Sequence, residues 1–335
     1  MSKHAFSTNV VSDYIWHEKL NWRADHVRNT TLSKMKVIDA FDDGIVTYSD
    51  LYIVYVIHVM TYANLYQIAE YTKWWKTQCK DLPLNPADDM EAFKSRIENL
   101  VKNSFLRRYK FVNNEGKDRD YYFVTPNGYN FIKKKLYFKE KYDEYLGAAP
   151  VQEVLKYLAN NELLVKILNN VSMEQGYHME SKSFYSSHVQ YYDKSKRKNI
   201  ITYGFLNIPI GDRKVKILIE PYRPTFDVNV FAKGQMDQIQ NDRFDFLNKY
   251  IDEFDTKNIG NGSLKVIFVA EDVHSARKLA AYISTLESYI RANMMVTVDK
   301  VVQQHGLSKT FLKLIDKPED NKTGLGLTSL DISRG

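Results

Sequence analysis

Residues 91–135 read EAFKSRIENLVKNSFLRRYKFVNNEGKDRDYYFVTPNGYNFIKKK. Phe93, Ile97, Leu100 and Val101 recur at helical spacing with polar residues between them, which predicts an amphipathic helix. Phe105 to Val112 follows as an apolar and basic strand, and Tyr121 to Thr125 as its return strand. Polar residues from Asn113 to Arg119 make the turn between them. Pro126-Asn127-Gly128 then opens a short helix that ends in Lys133, Lys134 and Lys135. Eleven Lys and Arg against five Asp and Glu give the stretch +6, which is also the formal net charge of the whole 335-residue chain. The excess positive charge is therefore local, as a phosphate-binding surface requires. Helix, hairpin and helix with this charge describe a winged helix-turn-helix from its recognition helix onward.

Composition sets the outer bounds. A chain of 335 residues, 44% hydrophobic and 26% charged, is globular and long enough for two ordinary domains. Cys79 is the only cysteine, which excludes a disulfide framework or a cysteine zinc site within one chain. The opening MSKHAFSTNVVSDYIW has no long apolar core, and no stretch approaches about 18 uninterrupted apolar residues. The expectation is a cytoplasmic protein that makes no use of a membrane.

Upstream of the basic stretch, residues 1–44 read as an N-terminal arm with Tyr14, Trp16, Trp22, Arg23, His26 and Arg28 available for docking. Asp42-Asp43-Gly44 signals a turn, and Ser49-Asp50 is expected to cap a helix beginning at Leu51. The apolar run through Val54, Ile57 and Met60 is nearly continuous, so periodicity alone does not separate a buried helix from a buried strand. His58 within it reads as a core histidine. Thr61 to Ala63 form a break, and Asn64 to Lys76 a second helix through Leu65, Ile68 and Ala69. With the helix at 91 this makes a three-helix core. The segment from Thr77 to Asp89, with Pro83 and Pro86, is longer than the usual turn of that motif.

The runs YANLYQIAEY, FKSRIENLVKNSFLRRYKF and YYFVTPNGYNFI resemble the N-terminal part of replication-relaxation family proteins, which are encoded on plasmids and other mobile elements. Members resemble MarR-type winged helices through a recognition helix of the form R-x-x-x-L-x-x-x-G-L-hydrophobic-R and a wing ending in T-P-x-G. Arg96, Leu100, Phe105, Leu106, Arg107, Thr125, Pro126 and Gly128 match that pattern, and Ser104 stands where the family usually has glycine. Asn103 is the expected left-handed residue in its place. On the recognition helix, Lys94, Ser95, Arg96, Asn99 and Lys102 face away from the apolar stripe, and Arg and Asn have the geometry to read guanine and adenine. Arg107, Arg108 and Lys110 on the strand, with Asn113, Lys117 and Arg119 in the wing, would hold phosphates or enter the minor groove.

Beyond residue 140 the pattern changes. Gly147 to Pro150 is a linker signal, followed by a helix from Val151 through Leu168. Phe184–Tyr192, Asn199–Ile208, Lys214–Glu220 and Asp227–Phe231 read as strands, with a turn from Asn207 to Asp212. Gln235–Phe254 reads as a helix, Leu264–Ala270 as a buried strand, Val273–Ile290 as a helix and Met294–Val302 as a strand. The expected fold class is α+β: an N-terminal winged helix-turn-helix followed by a small α/β domain with a mixed sheet. The expected boundaries are an arm at 1–44, a DNA-binding domain at 45–140, a linker helix at 141–180, the α/β domain at 181–305 and a loose tail at 306–335. The resemblance implies that the α/β domain is an altered PD-(D/E)XK nuclease core. Glu220 ends its strand as the central acid would, but the expected E-x-K is Glu220-Pro221-Tyr222, and the preceding strand carries no aspartate. Asp212 and Asp227 are the remaining acids nearby.

The expectation is a sequence-specific double-stranded DNA-binding protein without catalysis, cofactor or metal. It would act as a homodimer in replication, transfer or transcriptional control of a plasmid or mobile element, with a replication or transfer protein as a further partner. The alternative is a metal-dependent DNA nuclease or nickase that uses Glu220 with Asp227.

Overall fold

Thr47 starts the first long helix. Its hydroxyl accepts the Asp50 N–H, and the Asp50 carboxylate accepts the Thr47 N–H at 2.8 Å, a reciprocal capping box that opens α1 (Tyr48–Met60). The helix thus begins before Leu51, and Ser49 and Asp50 lie within its first turn. Leu51, Ile53, Val54, Tyr55, Val56 and Ile57 are all buried, so the helix is enclosed on nearly every side. That enclosure is why its sequence shows no apolar stripe.

The computed structural model of the chain describes residues 14, 23–24, 39–78, 80–81, 83, 85, 89–113, 116–136, 142, 147, 149, 151–169, 185–186, 189–193, 198–210, 213–223, 262–286, 288–304, 311–317 and 322–328. The expected strand at 227–231 and helix at 235–254 lie outside the described residues. The fold is mixed α+β. It divides into a unit of Glu18–Asn161 and a unit of Met1–His17 with Glu162–Gly335. Among the described residues no helix is long and apolar enough to cross a membrane.

In the first unit, β1 (Arg23–Ala24) precedes α1, and β2 (Tyr62–Ala63) follows it. Next come α2 (Leu65–Gln78), α3 (Met90–Lys102), β3 (Leu106–Val112), β4 (Asp118–Val124), α4 (Pro126–Leu136) and the first part of α5 (Val151–Leu168). The sheet runs β1-β3-β4-β2 with every neighbour antiparallel. The expected break at 61–63 is therefore two residues of strand, and part of the expected arm is an edge strand on β3. One face of the sheet is aromatic: Tyr109 and Tyr121 stack at 5.1 Å, and Tyr62 meets Phe123 at 5.2 Å and Tyr157 of α5 at 5.4 Å. The buried amide of Asn161 donates to the carbonyls of Met60 and Tyr62 and fixes α5 on this face. Tyr109 Oη donates to the Gly147 carbonyl at 2.8 Å and Tyr142 Oη to that of Val124 at 3.2 Å, so residues expected in a linker are tied to the sheet.

Two backbone devices join α3, β3 and α4. Phe105 N–H bonds the Leu100 carbonyl at 2.9 Å and Ser104 N–H that of Val101 at 3.0 Å, the paired bonds of a Schellman ending. Ser104 holds the left-handed conformation at φ 61, while Asn103 stays at φ −88, which corrects the expectation for Asn103. A hydroxyl-bearing residue in that region costs about 1 kcal/mol relative to glycine. Ser104→Gly should therefore raise stability by about 1 kcal/mol, read as a higher urea midpoint at unchanged slope; a lower midpoint would contradict it. Thr125 then caps α4: its hydroxyl lies 2.6 Å from the Ser104 carbonyl and accepts the Gly128 N–H at 3.1 Å. Pro126 takes the first helical position, where no N–H is needed.

The second unit holds β5 (Tyr185–Ser186), β6 (Val189–Asp193), β7 (Lys198–Thr202), β8 (Phe205–Ile210), β9 (Arg213–Tyr222), β10 (Gly262–Ala270), α6 (Val273–Ser284) and α7 (Ser288–Arg291). It continues with β11 (Met294–Val298), α8 (Asp299–Gln304), β12 (Phe311–Lys317) and β13 (Lys322–Thr328). A seven-stranded sheet runs β13-β12-β11-β10-β9-β8-β5, in which β9, β10 and β11 are parallel and the other pairs antiparallel. Leu218, Val266, Phe268, Val296 and Val298 form its core with Ala276, Leu279 and Ile283 of α6.

Several expectations need correction here. Residues 311–317 and 322–328, placed in a loose tail, pair along their whole length as a hairpin on the sheet. The two glycines of β13 depress its hydropathy without removing its backbone donors and acceptors. The strand expected to reach Val302 stops at Val298, where Asp299 opens α8. The helix at 273–290 is two helices, α6 and α7. Asn207 to Ile210 belong to β8 rather than a turn. The interruption falls instead at Tyr203-Gly204, where Gly204 lets Ile219 approach to within 3.0 Å of where a Cβ would stand.

Candidate nucleic-acid interface

The polar face of α3 is set from its first residue. Asp89 caps the helix by accepting the Ala92 N–H at 2.7 Å, and Phe93, Ile97, Leu100 and Val101 bury the apolar stripe. This leaves Glu91, Lys94, Ser95, Glu98 and Lys102 exposed. Among the described residues none of these five side chains is held by a hydrogen bond or ion pair.

Arg96 and Asn99 are not part of that free face. Arg96 Nε lies 2.7 Å from the Asp50 carboxylate, and its other nitrogens reach the Asn85 carbonyl and the Thr47 hydroxyl. Asn99 donates to the Ile45 carbonyl at 3.1 Å and accepts from the Asn103 amide. Both anchor α3 to the start of α1, so the two side chains best suited to purine edges are committed within the protein. For Arg96 the physical reason is Asp50, whose side chain is only 6% exposed and draws a counter-charge. An aspartate at the third position of a capping box was the available sequence signal, because it sits on a helix whose neighbours are nearly all apolar.

The hairpin presents its cations in two ways. Strand register sets Arg108 opposite Tyr122 and Lys110 opposite Asp120, with Arg23 of β1 opposite Lys110 on the other side. Arg107 and Arg119 belong to the alternate face, opposite Phe123 and Phe111. Arg107 lies 3.1 Å from Tyr109 Oη and 5.9 Å over that ring, half-buried. Asn113 is buried, and its Oδ1 accepts the Lys117 N–H at 2.9 Å, closing the turn with Gly116 at φ 74. Asn113 therefore shapes the hairpin and is withdrawn from the DNA-contacting set. Lys117 is exposed beside that turn. On α4, Lys133 and Lys134 are exposed, with Lys133 5.6 Å from the Tyr129 ring centre, and Lys135 lies 4.3 Å from that of Phe41.

Where α3 crosses the hairpin, the Tyr122 phenol is pushed up to about 12, chiefly by burial, with Asp120 and Glu98 adding to the effect and Arg108 opposing it. The charges at this crossing are thus mixed. Glu98, absent from the sequence-based set, stands on the same exposed face as Lys94, Ser95 and Lys102.

The second unit has a charged cluster of another kind, at the carboxyl ends of its parallel strands. Arg223 holds Asp299 through two parallel hydrogen bonds, and both side chains are 0% exposed. Glu271 accepts from the Ser275 hydroxyl at 3.1 Å, and Glu220 is buried on β9 beside Phe268 of β10. Asp212 and Asp227, weighed for the nuclease alternative, lie outside the described residues. Among the described residues no group of three or more His, Cys, Asp and Glu is arranged to hold a metal ion. In comparisons with known proteins, no family model, curated protein or solved structure matches the chain.

Proposed function

We propose that the unit Glu18–Asn161 is a winged helix-turn-helix that binds duplex DNA, with α3 in the major groove and the β3–β4 hairpin as the wing. The observation that carries the reading is the free outer face of α3: Lys94, Ser95, Glu98 and Lys102 are exposed and uncommitted, and Lys117 is exposed in the adjoining hairpin. The chain order α1-β2-α2-α3-β3-β4, with β2 closing the sheet against β4, supports it. Arg107, Arg108, Lys110 and Arg119 supply the remaining positive charge near the backbone of the duplex. The protein then acts by DNA address and not by catalysis. It works as a homodimer on two half-sites, because one such domain covers limited DNA surface. A cytoplasmic place belongs to this reading, and a setting in plasmid or mobile-element maintenance rests on the sequence resemblance alone.

A salt titration tests this. Binding of the full chain to a fluorescent duplex, followed by anisotropy from low to high NaCl, should give an affinity that falls linearly on logarithmic axes. The triple substitution Lys94→Ala, Lys102→Ala and Lys117→Ala should make that slope shallower by about 2 to 3, since each phosphate contact contributes about 0.9. All three side chains are exposed, so the fold should survive. Absence of salt-dependent binding to any duplex would instead favour a protein-contact role for this face.

A further inference from the structure

The outer face of α3 carries two lysines and two glutamates, so it is not built simply to attract a polyanion. Glu91 has a local reason to be there, since an acid in the first turn complements the amino end of the helix. Glu98 has none. It lies in the second half of the helix, four residues from Lys94 and four from Lys102, yet is exposed and forms an ion pair with neither among the described residues. A carboxylate at that place opposes phosphate binding unless it meets a donor. In the major groove cytosine offers its N4 amino group alone and adenine sets its N6 amino group beside the N7 acceptor, whereas guanine and thymine present acceptors that a carboxylate repels, so cytosine suits a carboxylate best. With Arg96 and Asn99 committed to Asp50 and the Ile45 carbonyl, Glu98 is also the group on this face with the strongest directional preference.

We propose that Glu98 is a specificity-determining residue that accepts a hydrogen bond from a cytosine amino group, so that this protein selects a duplex with a fixed C·G pair beneath α3. The inference rests on the duplex-binding reading above. Lys94 and Lys102, one turn to either side, hold the helix in the groove, and Glu98 makes a wrong base costly as well as a right one favourable.

Enrichment from a randomised duplex library tests it, using the full chain as wild type, Glu98→Gln and Glu91→Gln. The wild type should favour cytosine at one position by about tenfold or more. Glu98→Gln should bring that preference to within about twofold or turn it toward adenine, whose N6 and N7 suit an amide. Glu91→Gln should leave the preference intact. Retention of the cytosine preference by Glu98→Gln, or equal loss of it in Glu91→Gln, overturns the assignment while leaving duplex binding in place. Failure of the wild type to enrich any sequence or to bind duplex overturns the reading beneath it.

Discussion

Asp299→Ala is expected to be the most damaging single substitution in the second unit, costing about 3–5 kcal/mol. The carboxylate and its partner Arg223 are both fully removed from solvent, and two hydrogen bonds join them across the ends of β9 and β11. Arginine cannot escape by losing its proton, so removing Asp299 strips a buried cation of the carboxylate that meets it through two hydrogen bonds. The effect should fall on the parallel core. Amide hydrogen exchange, which follows each unit separately, should show β10 and β11 losing about two to three orders of magnitude of protection, while α1 and β4 stay unchanged. The double substitution Arg223→Met with Asp299→Leu should recover part of the loss, because it removes the buried cation together with its bidentate carboxylate. A single substitution costing under about 1 kcal/mol would mean that the pair is not the buried lock described.

How much of this was legible in advance depends on the range of the interaction. The apolar stripe of α3, the hairpin and the capped start of α4 are local patterns, and Phe93, Ile97, Leu100, Thr125 and Gly128 take the places their spacing implies. A helical wheel says which residues leave the core, but not what waits beside them. Arg96 and Asn99 border the buried stripe, and only the placement of Asp50, 46 residues from Arg96, decides that Arg96 turns inward. Asn113 was ambiguous for a related reason, since a turn-forming amide and a base-reading amide are the same side chain. The pair Arg223 and Asp299 spans 76 residues and is created by the order of the parallel strands, which no local pattern encodes. The strands at 311–317 and 322–328 carry little local signal, because their pairing with each other through backbone groups needs little apolar sequence.

Gly128→Ala should be nearly as costly in the first unit, at about 3 kcal/mol. A Cβ at this position would stand 2.2 Å from the Phe105 carbonyl oxygen, and the atom in the way is backbone, which cannot swing aside. That carbonyl is already fixed, because it accepts the Thr125 N–H at 3.1 Å while the N–H of the same residue closes the ending of α3. The added methyl must therefore move α4 away from β3 or pull the end of α3 out of register. Either displacement reaches the candidate interface, since α3 and the hairpin are joined through Ser104 and Phe105. Exchange protection should fall in α4, β3 and the last turn of α3 together, and duplex affinity should fall with it even though Gly128 touches no nucleic acid in this scheme. The neighbouring Ser104→Gly supplies the control of opposite sign, relieving a strained residue in the same joint. If Gly128→Ala were tolerated within about 1 kcal/mol, the close contact of α4 with β3 would be wrong. The coupling of hairpin and helix argued from it would then fail as well.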